Sequence, residues 1–196
     1  MFDLARGVPL LSPTRAARRR RGPVAKGFHP PGGISSGMWQ IPKGVSLVAG
    51  HGEGSTELNA FDRALQDAGV ADINFVRVTS IMPPGARVIE LPPYPPGLLL
   101  PAVYARLTSA RPGDRIAAAI GVGVCRERYG VIMEHTAHAS RAEAEIVVRA
   151  MVEEGLRIRG LEADEVITTA SEHTVARAGS VVAVALFWPA PTGIAG

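Results

Sequence analysis

The stretch that decides the fold is Ile73-Asn74-Phe75-Val76-Arg77-Val78-Thr79-Ser80-Ile81-Met82-Pro83-Pro84. Its β-branched and aromatic residues predict a strand over residues 73–79, with Asn74, Val76, Val78 and Ser80 on one face. A proline cannot donate a backbone hydrogen bond and pushes the residue before it toward extended geometry. Ser80 therefore lies where an extended segment stops and turns, and we expect strained backbone at this point.

A strained peptide before a serine invites self-cleavage. The Ser80 hydroxyl could attack the Thr79 carbonyl and give an ester, which would eliminate to dehydroalanine and hydrolyse to an N-terminal pyruvoyl ketone. Taken alone, however, a Thr-Ser pair before a proline turn is usually only the end of a strand. The spacing by itself leaves both interpretations open.

Upstream of this stretch the sequence predicts a strand, a turn and a helix. Residues 45–49 are apolar and indicate a buried strand, and the glycine-rich residues 50–54 indicate a flexible turn. A phosphate loop is not indicated, because the Gly-Lys-Ser/Thr ending is missing. The helix has Ser55 or Thr56 as its cap and Gly69 as its end. Its predicted apolar face consists of Leu58, Phe61, Leu65 and Ala68.

Downstream, seven prolines in residues 83–101 predict an irregular surface loop without an interior strand. Residues 116–125 and 129–136 predict a hairpin, and 166–171 and 181–188 predict two further strands. Between them, a capping box at Ser140–Glu143 predicts a helix that ends at Gly155. Its predicted apolar face consists of Ala144, Val147, Val148, Met151 and Val152. This order of strands and helices predicts an α+β or mixed α/β fold.

Composition and charge separate a basic tail from the rest of the chain. Residues 1–38 hold seven Lys or Arg against one Asp, without helical or strand periodicity, so we expect a disordered tail. Residues 39–196 are mildly acidic and long enough for one domain. The longest apolar stretches are too short to span a membrane. Cys125, the single cysteine, cannot form an intrachain disulfide and fits a small buried residue in a reducing cytoplasm.

Four motifs, taken in order, resemble those of the pyruvoyl-dependent arginine decarboxylase family. They are Asn59-Ala60-Phe61-Asp62, Asn74 to Pro84 as quoted above, Gly130-Val131-Ile132-Met133-Glu134 and Glu172-His173-Thr174-Val175. The resemblance runs from about Pro42 to Trp188. It implies a four-layer α/β/β/α sandwich and a homo-oligomer, a trimer or a dimer of trimers, with active sites between subunits.

The resemblance also implies the chemistry. Cleavage between Thr79 and Ser80 would turn Ser80 into the pyruvoyl group, whose ketone would condense with the substrate's α-amino group and make pyridoxal phosphate unnecessary. The reaction implied is decarboxylation of L-arginine to agmatine and carbon dioxide, for polyamine synthesis or for acid resistance. Many family members carry serine where this chain has Thr79, but only the carbonyl of that residue would react.

Three further residues match functional positions of the family. Glu134 would donate the proton to Cα, and its apolar neighbours would favour the protonated carboxyl. Asp62 would hold the substrate's guanidinium, and Asn74 would assist self-processing by stabilising the oxyanion. The residue types alone also allow an exposed strand glutamate, a helical aspartate facing water and an ordinary strand-edge asparagine.

The other expectations concern metals, partners and alternative functions. His135 and His138 lack a metal-binding arrangement, so we expect no metal, and we assign His173 a structural role. We expect neither a membrane nor a nucleic-acid partner, although the basic tail would be the segment to bind nucleic acid. The alternatives are a pyruvoyl-dependent decarboxylase of another basic amino acid, such as histidine, or an uncleaved, non-catalytic binding or assembly subunit.

Overall fold

The computed structural model describes residues 41–189, which form two α-helices and nine β-strands. In chain order these elements are β1 (Gly44–Glu53), α1 (Glu57–Asp67), β2 (Ile73–Arg77), β3 (Ile81–Met82), β4 (Arg87–Val88), β5 (Leu98–Ser109), β6 (Arg115–Val124), β7 (Gly130–Ala137), α2 (Arg141–Ile158), β8 (Glu165–Thr174) and β9 (Gly179–Trp188). The expected basic tail and the boundary at residue 38 lie outside the described residues. No described helix is long and apolar enough to cross a membrane.

The strands form two separate sheets. The first has the order β2-β5-β9-β1-β4, and the second has the order β3-β7-β6-β8. The β2–β5 and β1–β4 pairs are parallel, and all the other described pairs are antiparallel. In the first sheet, β1 pairs with β9 from Gly44 opposite Trp188 to Glu53 opposite Gly179. The first and last long strands of the fold are therefore neighbours.

The two sheets pack face to face, and each carries one helix on its outer face. Apolar side chains of both sheets, such as Val103 and Ile120, form the core between them. On the outer side of the first sheet, Ala64 of α1 packs on Val184 of β9. On the outer side of the second sheet, Val148 of α2 packs with β6 and β8. The result is an α+β fold with the layers α/β/β/α, as the resemblance implied.

The predicted glycine turn after β1 is wrong, because β1 continues as a strand to Glu53. Its glycines allow α1 to lie against the strand. A Cβ at Gly50 would lie 2.5 Å from both Ala64 O and Ala68 N, and a Cβ at Gly54 would overlap Ala60 N. The glycines are therefore needed for close packing between strand and helix and not for a flexible loop.

Helix α1 begins where the sequence predicts and buries most of the predicted face, because Ala68 is buried and Phe61 and Leu65 pack against the core. Thr56 is the N-cap and accepts a hydrogen bond from Asn59 N–H, and Gly69 follows the helix with a φ of +74°. Ala60 and Ala64 are fully buried, whereas Leu58, a predicted core residue, is 72% exposed. Small alanines face the sheet because the glycines of β1 bring the two backbones close together.

Helix α2 has the predicted capping box but is longer than predicted. Ser140 and Glu143 exchange hydrogen bonds at its start, and the helix continues through Gly155 to Ile158. Gly155 is buried against the side chains of Met133 and Val131, so it permits close packing and does not end the helix. Val147, another predicted core residue, is partly exposed.

The proline-rich segment is irregular only up to Gly97, apart from the two-residue strand β4. Strand β5 begins at Leu98 and includes Pro101, which contradicts the prediction that no interior strand occurs there. Pro101 is tolerated because β9 pairs with β5 only from Ala102 onward, so no β9 residue lies opposite the proline. The β6–β7 hairpin is confirmed, and β8 and β9 are both longer than predicted.

Candidate active site

The Thr79–Ser80 peptide lies where the chain crosses from the first sheet to the second. Just before it, Val78 N–H donates a hydrogen bond to the Ala102 carbonyl of β5, at 3.0 Å. Just after it, β3 pairs with β7 in the second sheet. The peptide predicted to be cleaved is therefore held at both ends by different sheets.

The backbone makes a tight turn around Ser80. Ile81 N–H donates a hydrogen bond to the Thr79 carbonyl at 3.2 Å, which is the pattern of a γ-turn with Ser80 at its centre. No described residue other than glycine has a positive φ, so this is the common inverse form and not the strained one. The φ angle of Ser80 therefore shows none of the expected backbone strain. The Ile81 N–H instead points at the carbonyl oxygen that would become negatively charged during attack by Ser80.

Strand β7 connects Ser80 to Glu134. Ile132 N–H donates a hydrogen bond to the Ser80 carbonyl at 2.8 Å. Glu134 lies two residues further along the same strand and therefore on the same face as Ile132. Ile132 is fully buried between the sheets, whereas Glu134 lies where the strand emerges from the core. The fold thus brings the predicted proton donor onto the strand that holds Ser80.

Glu134 lies beside a cation. Its Oε1 accepts a hydrogen bond from Arg77 Nη2 at 3.2 Å, and its side chain is 32% exposed. The Arg77 guanidinium stacks on the ring of Tyr104, 4.8 Å from the centroid. The prediction that Glu134 lies in an apolar environment is therefore wrong, because only the first residues of β7 are buried in the core.

These residues line a cleft of about 410 Å³. It contains Arg77, Tyr104, Arg106, Glu134, His135 and Thr136. A larger open groove of about 1120 Å³ lies at the end of α2, but it contains none of the predicted site residues. Ser80 does not line the smaller cleft, but β2 and β7 supply Arg77 and Glu134 to it, and β7 also bonds the Ser80 carbonyl. We therefore take this cleft as the candidate active site.

Asp62 lies on the exposed side of α1. Its Oδ2 accepts a hydrogen bond from Gln66 Nε2 at 3.0 Å, and no described contact joins it to Ser80 or Glu134. Its neighbour Phe61, however, lies under the Arg106 guanidinium at 4.6 Å. Arg106 also lines the cleft, so Phe61 is linked to the cleft through this side chain, but neither Phe61 nor Asp62 lines it.

Asn74 is exposed on β2, and its side-chain amide donates a hydrogen bond to the Gly97 carbonyl at 3.2 Å. This contact ties β2 to the end of the proline-rich segment. No described hydrogen bond joins Asn74 to Thr79 or Ser80. Its processing role remains a prediction.

A second polar cluster joins β1 to the end of β8. His173 Nε2 and Glu53 Oε1 are 2.7 Å apart, and the His173 ring stacks on His51 at 5.1 Å. Burial raises the pKa of Glu53, but hydrogen bonds from Ala176 N–H, from His173 and from two further backbone N–H groups together leave this pKa below its usual value. His173 thus has a structural partner, as expected.

Cys125 and the other histidines form no metal site in the described part of the chain, where no group of three or more His, Cys, Asp or Glu side chains is arranged to hold a metal. Cys125 is buried, as predicted, and its thiol donates to the Glu162 carbonyl at 3.2 Å. Burial is the main cause that raises the pKa of this thiol.

Sequence reasoning missed Arg77, Tyr104 and Arg106 as residues of the cleft. Arg77 stands inside the quoted motif, and its charge within an otherwise apolar strand was an available signal. Tyr104 and Arg106 carried no such signal, because only the pairing of β2 with β5 brings them next to Arg77.

The fold and this cleft define an α+β sandwich protein in which a serine peptide crosses between two sheets and the flanking strands carry an arginine–glutamate pair. The sequence profile of the family described as pyruvoyl-dependent arginine decarboxylase matches residues 45–191. The chain therefore belongs to the pyruvoyl-dependent arginine decarboxylase family.

Individual relatives agree with this family. A protein of Methanocaldococcus jannaschii named pyruvoyl-dependent arginine decarboxylase is 44% identical over 152 residues, covering 76% of this chain and 92% of that protein. A protein of the same name from Pyrococcus abyssi is 41% identical over 154 residues, covering 76% of this chain and 98% of that protein. The similarity thus extends over nearly the full length of these relatives.

Proposed function

We propose that this protein cleaves its own Thr79–Ser80 bond and then decarboxylates L-arginine to agmatine and carbon dioxide. The single observation that carries the proposal is the turn around Ser80, in which Ile81 N–H donates to the Thr79 carbonyl. In a member of this family, that turn lies at the residue from which a pyruvoyl group would be made.

In the cleavage step, Ser80 Oγ attacks the Thr79 carbonyl carbon. Negative charge develops on the carbonyl oxygen, and the Ile81 N–H is already directed at this atom. The peptide C–N bond breaks and an ester forms, which eliminates to leave a Thr79 carboxylate and a dehydroalanine at position 80. Hydrolysis then releases ammonia and leaves the pyruvoyl group. Asn74 would assist by donating to the oxyanion.

The two products would stay in one fold. The shorter chain retains β1, which pairs along its whole length with β9, and β2, which pairs with β5. The longer chain begins at residue 80, where the carbonyl of that residue is bonded to Ile132 N–H. These contacts would hold the new N-terminus on strand β7 after cleavage.

The pyruvoyl ketone would take up the substrate's α-amino group and accept the electrons released as carbon dioxide leaves. Ser80 fits this role because its carbonyl is fixed by β7 while the residue itself is only partly buried. Glu134, on the same strand, would return a proton to Cα. No pyridoxal phosphate or metal enters this scheme.

Asp62 would hold the substrate's guanidinium through paired hydrogen bonds, a geometry that carboxylates suit. In one chain Asp62 is exposed and has no contact with Glu134, which favours a site completed by a second copy. We propose a homotrimer, or a dimer of trimers, with sites between subunits. A single buried cysteine fits the cytoplasm as its location.

The experiment that tests this function is an intact mass measurement under denaturing conditions. We expect two chains split between Thr79 and Ser80, the larger one lighter by one ammonia than a serine-terminated fragment. Release of carbon dioxide from L-arginine, compared with histidine and lysine, would then identify the substrate. A full-length chain that stays uncleaved on prolonged incubation would contradict the proposal and favour a non-catalytic subunit.

A further inference from the structure

The Arg77 guanidinium is held in place, but not all of its N–H donors have a partner among the described residues. One face lies on the Tyr104 ring, and Nη2 donates to Glu134. The hydrogen bond to Glu134 is the only side-chain hydrogen bond that Arg77 makes to the described residues, and its side chain is 58% exposed. A guanidinium has several N–H donors in a rigid plane. Arg77 therefore retains donors for a ligand in the cleft.

The charges of the cleft favour an anion. Arg77 and Arg106 both line it, against the single carboxylate of Glu134. Arg106 stacks on Phe61 and forms no ion pair with any described residue. L-Arginine has one anionic group, its α-carboxylate, whereas its guanidinium would be repelled by both side chains. The carboxylate end of the substrate is thus the end that suits this cleft.

Arg77 is linked to Ser80 both along the chain and through strand β7. Arg77 precedes Ser80 by three residues, and its partner Glu134 lies on the strand that holds the Ser80 carbonyl. The α-amino group and the α-carboxylate are attached to the same carbon atom. A substrate whose amino group reaches position 80 therefore brings its carboxylate toward the same part of the cleft.

We propose that Arg77 binds the α-carboxylate of the substrate and so determines which end of arginine enters the cleft. This inference rests on the proposed function. The incoming carboxylate competes with Glu134 for the guanidinium. After carbon dioxide has left and Glu134 has returned a proton to Cα, the Glu134 carboxylate pairs with Arg77 again. Such binding acts mainly on the ground state, so Arg77 contributes to KM more than to kcat.

Two ligands that differ at the reacting end provide the test. The first, 5-guanidinopentanoate, keeps the carboxylate but lacks the α-amino group. The second, agmatine, keeps the amino group but lacks the carboxylate. For Arg77→Ala, we expect the Kd of 5-guanidinopentanoate, measured by calorimetry, to rise about tenfold or more, since a hydrogen-bonded ion pair is lost. Arg77→Ala should bind agmatine at least as tightly as the parent protein does.

Matched variants separate this role from general damage. Arg77→Lys keeps the charge but loses the planar fork, so its Kd should lie between those of the parent and Arg77→Ala. Arg149→Ala removes an exposed arginine of α2 that lines none of the cleft, and it should change neither Kd. In the kinetic assay, Arg77→Lys should raise the KM for L-arginine while kcat changes less.

The proposal would be overturned if both ligands lost affinity equally, if the Kd of 5-guanidinopentanoate stayed unchanged, or if the parent did not bind this acid. If Arg77→Ala fails to fold, Arg77→Lys carries the same comparison. The acid cannot condense with a ketone, so its binding does not depend on cleavage. An uncleaved parent would therefore contradict the proposed function, while the binding comparison would still report on Arg77.

Discussion

Arg77 and Glu134 stand 57 positions apart in the sequence and form an ion pair in the cleft. An ion pair of two partly exposed side chains adds little to the stability of a fold, because water screens both charges. Its importance is that it places one cation and one carboxylate together in the cleft. The chemistry expected of this family needs both a group that binds the substrate and a group that supplies a proton.

Asp62 gives a prediction at the scale of one residue. We expect Asp62→Ala to raise the KM for L-arginine about tenfold or more, because a charge-assisted hydrogen bond to the guanidinium is lost. Cleavage at Thr79–Ser80 should be unaffected, as judged by intact mass. Gln66→Ala removes the described partner of Asp62 and serves as the control, with a KM near that of the parent. If Asp62→Ala has the same KM for L-arginine as the parent, Asp62 does not belong to the substrate site.

At the scale of elements, the contact between β1 and α1 depends on glycine. Gly50→Ala would place a methyl group 2.5 Å from Ala64 O and Ala68 N, which are backbone atoms and cannot move aside cheaply. We expect the free energy of unfolding to fall by about 1–3 kcal/mol, measured by urea denaturation. Ser55→Ala, at an exposed position beside the cap residue Thr56, should change it little. An unchanged midpoint for Gly50→Ala would contradict this packing.

The link between β1 and the turn that joins β8 to β9 should depend on pH. The pKa of Glu53 is lowered in the folded protein, so its ionised form contributes stability above the ordinary glutamate pKa of 4.5. This contribution is lost as the pH falls through the lowered value. We expect Glu53→Gln to be less stable than the parent at pH 7, and the difference to shrink as the pH falls below 4.5, in urea titrations at each pH. A difference that is constant with pH would show that the charge of Glu53 is not involved.

Helices and strands were predictable to different degrees. The capping box at Ser140 and the cap at Thr56 act through nearby backbone groups, so the helix starts could be predicted from neighbouring residues. The glycines at positions 50 and 155 were misassigned as a turn and a helix end. Glycine permits both a turn and close packing, and only the element lying against it decides between them.

At the scale of the whole molecule, Asp62 and Glu134 have no described contact within one chain. If the sites lie between subunits, an Asp62→Ala chain and a Glu134→Gln chain should complement each other in a mixed oligomer. Random mixing in co-expression would restore about a quarter of the sites, each with one intact residue from each chain. Decarboxylation of L-arginine by the mixture, compared with each variant alone at an L-arginine concentration below the parent's KM, measures this. Native mass spectrometry would confirm that the oligomers contain both chains. If they do and activity does not recover, both residues of a site come from one chain.

The amino-acid sequence by itself determined the order of most elements, the α+β class and the position of Ser80 at a strand end, because these features depend on side-chain period and on interactions within a few residues. It also determined membership of the family, through motifs that match those of the family. Only the tertiary structure decided that the Thr79–Ser80 peptide crosses between two sheets, that Ile81 N–H is directed at the Thr79 carbonyl and that Arg77 meets Glu134. Those contacts require β2, β5 and β7 to be placed side by side in a particular register, and local sequence carries no measure of that register.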